Sequence, residues 1–177
     1  DASGVQVDAE MRTSQAHIFA VGDVNGIHEI VHIAIAQGEI AAHNATHTDG
    51  PPRSVDDRLT TQIVFTEPQL ASVGLSEKQC RERHLPYLKA EHRFDDHGKS
   101  LCLGETYGQA KLLCEPRRGT LLGAHIVGPD ASELIHELVA VMYFNGTAGD
   151  LARIPHYHPT LAEIVLYPAE ELAAQIG

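Results

Sequence analysis

Basic residues are scarce in this chain of 177 residues, where 13 lysines and arginines stand against 24 aspartates and glutamates for a formal net charge of −11. Nucleic acid calls for a basic patch, and an anionic membrane surface attracts clustered cations. The charge balance speaks against both partners. Long apolar runs are missing too: none approaches the roughly 20 residues of a bilayer-spanning helix, and nothing reads as a secretory signal peptide. Glycines never fall at G-x-G-x-x-G spacing, so no pyrophosphate cradle at a helix N-terminus can be drawn. Cysteine is limited to Cys80, Cys102 and Cys114, which lie 22 and 12 residues apart. That excludes a short-spaced redox pair. An odd number without scaffold spacing predicts reduced thiols in a cytoplasmic setting, serving as small buried apolar groups.

A hydrophobic content of 43% supports a sizeable core, and the length suits one ordinary domain plus a smaller piece. The text turns polar and turn-forming between His47 and Arg58, around Asp49-Gly50-Pro51-Pro52, which predicts a boundary between units 1–50 and 51–177. In the first unit, Ile18 to Val21 reads as a short strand. Ile27, Ile30, Val31, Ala34, Gly38 and Ala41 then recur at helical spacing and predict one apolar face. In the second, strands are expected at Gln62–Phe65, Ala71–Val73, Tyr87–Arg93, Gln109–Cys114 and Leu121–Val127. Glu115 to Gly119 forms a hairpin connection. Ser76 and Gln79 have capping-box spacing, as do Asp130 and Glu133 ahead of a helix with Leu134, Ile135, Leu138, Val141 and Met142 on its apolar stripe. Asn145-Gly146 ends that helix. An antiparallel sheet with flanking helices, preceded by a smaller α/β piece, makes the chain α+β.

The chemistry concentrates in His158-Pro159-Thr160-Leu161-Ala162-Glu163. A histidine titrates near neutrality, and a carboxylate can fix its tautomer and stabilise its charged form, as general acid–base work requires. Thr160 and Glu163 also spell a capping box, in which Glu163 does no more than bond the backbone. Asp23, after Gly22, reads either as a ligand-facing carboxylate or as a turn aspartate bonding its own backbone. His43 and His47 share a helix face but lack the glutamate of H-E-x-x-H and a third ligand, so no metal site is assigned. His156 and His158, on alternating positions, are expected to point to opposite sides of an extended segment.

Two segments together carry a resemblance. Thr13-Ser14-Gln15-Ala16-His17-Ile18-Phe19-Ala20-Val21-Gly22-Asp23-Val24 resembles the second FAD motif of the flavin disulfide reductases, and His158 to Glu163 looks like their catalytic H-P-T-x-x-E. The local sequence from His156 to Glu163 is most similar to the dihydrolipoamide dehydrogenases, whereas mercuric reductases lack this histidine. The resemblance implies the C-terminal part of an NAD-linked, FAD-dependent class I disulfide oxidoreductase, comprising the end of the FAD-binding domain and the dimerisation domain. It implies that Asp23 and Gly22 meet the ribityl chain of FAD and that amides at Ile30, Val31 and His32 face the flavin. It further implies a homodimer acting on a small dithiol or disulfide such as lipoamide. His158 then serves as base and Glu163 orients it, both reaching the partner subunit's active site. The phosphate loop, redox cysteine pair and NAD domain of such an enzyme are expected upstream. The fragment alone is expected to be inactive and to hold no FAD tightly. Two alternatives stand beside this reading: a non-catalytic dimerisation module, or a parent similar to glutathione reductase or soluble transhydrogenase.

Overall fold

The computed structural model describes residues 4–47 and 49–176. The chain divides into two compact units between Asp57 and Arg58.

In the first unit, a short 3-10 turn at Gly22–Asn25 precedes helix α1, Val31–Thr46. Ile18 to Val21 does not form the expected strand, because Phe19 finds a single bridging partner, Arg12, and a strand needs a continuous neighbour to satisfy its ladder. The apolar face also differs from the sequence expectation. Ile27 and Ile30 lie before the helix, Val31 is exposed, and the buried face is Ile33, Gln37, Ala41 and Asn44. Two of these four are polar, and hydrogen bonds explain their burial. Gln37 Oε1 accepts from Gly22 N–H at 2.7 Å and from Asn25 Nδ2 at 2.9 Å, while Asn44 Nδ2 donates to the Glu10 and Arg53 carbonyls. A periodicity search sees only the apolar half of such a face.

The second unit is built on a five-stranded antiparallel sheet in the order β1-β2-β5-β4-β3. Its strands are β1 Thr61–Val64, β2 Gln69–Gly74, β3 Leu88–Arg93, β4 Gln109–Cys114 and β5 Leu121–Gly128. Alternation along β4 and β5 sends Ala110, Leu112, Cys114, Ala124 and Ile126 to one face, where they join Ala71 and Val73 of β2 in the core. Helix α4, Ala131–Tyr143, covers the β2 and β5 half of this face, and α6, Leu166–Ile176, covers the β3 and β4 half. Ile135, Leu138 and Leu172, with no exposed surface, close the layer.

Three short helices complete the unit: α2 Glu77–Glu82, α3 Gly98–Leu103 and α5 Ala148–Arg153. Helix α2 carries the expected capping box between Ser76 and Gln79. It lies over the opposite sheet face, where Glu77 takes Lys111 at 2.8 Å. Asp130 precedes α4 as expected but makes no side-chain cap, because its backbone is left-handed at φ 50°. An N-cap side chain reaches the helix amides from an extended backbone. The helix ends at Tyr143, with Gly146 N–H folding back to the Val141 carbonyl at 2.8 Å. All three cysteines are unpaired. Cys80 and Cys114 are buried, and burial pushes the Cys114 thiol up to about 11, which keeps it protonated and unreactive. Cys102 is exposed, against the expectation of burial, since α3 turns Ser100 inward and presents Leu101, Cys102 and Leu103 outward. Among the described residues no helix is long and apolar enough to cross a membrane.

Candidate active site

His158 and Glu163 flank the start of a 3-10 turn, Leu161–Val165, that runs directly into α6. Ile164 and Val165 of that turn are core residues, so the turn is fastened to the sheet–helix body and Glu163 is held with it. The Glu163 carboxylate divides its two oxygens. Oε2 accepts Thr160 N–H at 2.7 Å, and Oε1 lies 2.8 Å from His158 Nδ1. The capping role and the role beside histidine, alternatives in the sequence, are both filled by one side chain. The reciprocal arm of the capping box is weaker: the Thr160 hydroxyl is out of solvent and faces the turn amide without making a full hydrogen bond.

The Thr160 amide, followed by His158, holds the Glu163 carboxyl below the usual glutamate range, against the opposing effect of burial. An ionised Glu163 only accepts, so Nδ1 of His158 carries the hydrogen of that bond. The free nitrogen is then Nε2. The His158 side chain is 79% exposed while that of Glu163 is 15% exposed, so the ring stands out from its own subunit on a sheltered carboxylate. The His158–Pro159 peptide is cis.

Behind this pair lies an aromatic group that the sequence did not mark. His97 is 1% exposed, its Nδ1 is 2.9 Å from Ser100 Oγ, and its ring meets the edges of Phe94 and Tyr167. His92 stacks on Tyr167 at 3.9 Å between ring centroids. Burial lowers the His97 pKa, and the Glu163 carboxylate partly opposes that. No motif joins residues 92, 97 and 167; the end of β3, α3 and α6 bring them together.

These shifts fix a pH dependence. His97 and His125 lie below the ordinary histidine value of 6.5, both through burial. Glu77, through its Lys111 hydrogen bond, and Glu163 lie below the ordinary glutamate value of 4.5. In every case the unfolded chain takes up the proton at higher pH than the folded chain does. Stability is therefore full above the unfolded value and is lost as pH falls toward the folded one. We expect the urea midpoint to decline below pH 6.5 and again below pH 4.5. A midpoint that rises on acidification through either window contradicts these assignments.

In the first unit, Gly22 opens the 3-10 turn at φ 70°, with the position of an added Cβ 3.1 Å from Ala34 Cβ. A side chain there meets both a left-handed backbone and the helix. Asp23 is exposed, and its carboxylate makes no hydrogen bond among the described residues, although its carbonyl accepts Gly26 N–H. Ile30 is the N-cap of α1 and offers no side-chain cap, and the first helical bond is Ala34 N–H to the Ile30 carbonyl. The amides of Val31 and His32 thus lie in an open first turn, with both side chains exposed. An acidic acceptor beside an uncapped helix start fits a ligand with hydroxyls and developing negative charge, as FAD has. The His43 and His47 rings stack at 4.5 Å, and no group of three metal-ligating side chains occurs among the described residues.

Gln37 joins this arrangement together. Replacing it by leucine leaves the Gly22 amide without its acceptor and the Asn25 amide group without the shorter of its two, at about 1–3 kcal/mol for each buried unmet donor. Faster hydrogen exchange at Gly22 and through α1, with the sheet of the second unit unchanged, is the expected result. Unchanged exchange at Gly22 rules out the link.

A family model for the pyridine nucleotide-disulphide oxidoreductase dimerisation domain matches residues 60–168. The chain belongs to that family. Dihydrolipoyl dehydrogenase of Mycobacterium tuberculosis is 37% identical over 163 residues, which cover 92% of this chain and 35% of that protein. The Geobacillus stearothermophilus dihydrolipoyl dehydrogenase is 37% identical over 166 residues, covering 94% of this chain and 35% of its own length. The chain thus spans about a third of these curated relatives. Among solved structures, LpdA of Mycobacterium tuberculosis superposes with a TM-score of 0.85 at 25% identity, over 96% of this chain and 36% of that one. RclA of Escherichia coli, a HOCl-induced flavoprotein disulfide reductase, superposes with a TM-score of 0.80 at 25% identity, over 95% and 38%. The family agrees with the antiparallel sheet and flanking helices of the second unit.

Proposed function

We propose that this chain is the C-terminal part of an NAD-linked, FAD-dependent disulfide oxidoreductase similar to dihydrolipoamide dehydrogenase. In this reading residues 1–50 are the end of the FAD-binding domain and residues 51–177 the dimerisation domain. The observation that carries the reading is the outward His158 ring, tied at Nδ1 to a sheltered Glu163. A ring presented this way serves a reaction outside its own subunit. His158 Nε2 takes the proton of a small dithiol such as dihydrolipoamide, and the resulting thiolate attacks the partner subunit's redox disulfide. Thiolate, not thiol, is the nucleophile in such exchange. Glu163 fixes the tautomer and stabilises the ring once it is charged.

Asp23 and Gly22, with the amides at Ile30, Val31 and His32, would hold FAD at its ribityl chain and flavin. Bound FAD supplies the two-electron carrier between the dithiol and NAD. A homodimer is part of the reading, and the four most exposed aromatic side chains of the second unit, Phe65, Tyr143, Phe144 and Tyr157, support it. Exposed aromatic surface of this kind marks protein contacts. The unpaired thiols suit a cytoplasmic enzyme. The likeness to RclA favours a second reading, in which the same dyad serves a different disulfide.

The test is NAD-dependent oxidation of dihydrolipoamide by the full-length flavoprotein, with glutathione as the competing thiol. Turnover with the first and little with the second supports the assignment. Turnover with neither thiol rejects it.

A further inference from the structure

A second histidine–glutamate pair sits on the other side of the segment that presents His158. The His156 side chain is 5% exposed against 79% for His158, so these two rings, two residues apart in an extended stretch, face opposite ways. His156 Nδ1 lies 2.9 Å from the Ile154 carbonyl oxygen. Its Nε2 lies 2.9 Å from Oε1 and 3.0 Å from Oε2 of Glu137. A carbonyl and an ionised carboxylate both only accept. Both ring nitrogens thus face acceptors, which fixes the ring's rotation as well as its depth.

Glu137 belongs to α4, between the fully buried Ile135 and Leu138, so its backbone is part of the core layer. From Arg153 to Pro159 every residue except His156 is exposed. His158 is restrained from the C-terminal side by Glu163 on its turn, and on the N-terminal side the nearest inward-facing side chain is His156.

We propose that His156 and Glu137 are positioning residues for the reaction of His158. The pair fastens the segment to α4, so that His158 Nε2 stands at a set place beyond the surface of its own subunit. This rests on His158 acting as the base, as proposed above. A base must lie within hydrogen-bond reach of its proton, and a misplacement of about 1 Å can cost on the order of 100-fold in rate.

The experiment uses the full-length flavoenzyme with His156→Ala, Glu137→Ala and His158→Ala, singly and with the last two combined. Two activities are measured: NAD-dependent oxidation of dihydrolipoamide, and NADH oxidation by ferricyanide, which needs no base for a thiol. We expect Glu137→Ala and His156→Ala each to lower kcat for dihydrolipoamide by about tenfold or more, with KM and the ferricyanide rate little changed. In the His158→Ala background, Glu137→Ala should add less than about a twofold loss, because the pair acts through a ring that is gone. An equal fall in both activities overturns the proposal in favour of general destabilisation. So does a full additional loss in the His158→Ala background. If His158→Ala abolishes turnover while the other two variants stay near wild type, the positioning role alone fails. If His158→Ala itself has little effect, the reading of the active site fails and takes this inference with it.

Discussion

Replacing His158 by alanine in the full-length enzyme should lower turnover with dihydrolipoamide by about two to four powers of ten, the range ordinary for loss of a general acid–base group. The geometry accounts for the size of the effect. Nδ1 is committed to Glu163 at 2.8 Å, so Nε2 is the nitrogen left to take a proton. Flavin content and the ferricyanide rate should be unaffected, because neither depends on deprotonating a thiol. Glu163→Gln should cost less, since an amide oxygen can still accept from either Thr160 N–H or His158. Steady-state kinetics across the thiolate range provide the check. A loss smaller than about tenfold for His158→Ala rejects the catalytic role.

Phe94→Ala should be the most destabilising single truncation in the second unit, at about 3–5 kcal/mol. Phe94 has no exposed surface, follows directly on β3 and lies in the main core. Its ring rests on Gly128 at the end of β5, where an added Cβ would come within 2.4 Å of Phe94 Cε2. The glycine is the flat surface that makes room for the ring. The ring also meets His97 in a T-shaped contact, 6.2 Å between centroids. Removing the ring therefore opens a cavity between the sheet and the group behind Glu163, and the loss should appear in urea unfolding and as a weaker hold on His97. Phe94→Leu, which retains most of the volume, should cost less than about 1.5 kcal/mol. A Phe94→Ala cost below about 1 kcal/mol would mean that the site collapses or that the ring carries little of the core.

The sheet was largely readable because its strands alternate cleanly and are bounded by turn residues. Gln109–Cys114 falls on β4, and Glu115 to Thr120 closes the hairpin, with the Glu115 side chain accepting from the Arg117 and Arg118 amides. Helix α4 was readable from its five-residue apolar stripe. Of the short helices, α2 was legible through its Ser76–Gln79 capping box, while α3 and α5 were not: six residues are too few for a period, although Thr147 and Asp150 of α5 do form a capping box that could have marked it. Helix α6 starts without a cap of its own, straight from the preceding turn. Polar residues account for the remaining surprises. Gln37 and Asn44 are buried by hydrogen bonding, which no hydropathy pattern encodes. Asp130 stands where a cap was expected, in a backbone conformation that keeps its side chain from capping.

The candidate site divides in the same way. His158 and Glu163 were legible because five residues of sequence hold both. His156 was rightly expected on the opposite side, but its partner Glu137 lies 19 residues away on another helix, a distance that only the tertiary fold closes. His97 likewise reaches the site through the fold and not through a motif.

The central claim is that His158 acts in the partner subunit, and hybrid dimers test it most directly. One full-length subunit carries His158→Ala with an intact redox cysteine pair, and the other keeps His158 but has its redox cysteines changed to serine. Each homodimer should be inactive. The account predicts that the hybrid recovers turnover with dihydrolipoamide at one of its two sites, where the intact cysteines of one subunit meet the intact His158 of the other. A hybrid as inactive as the two homodimers, with flavin and dimer intact, would contradict it.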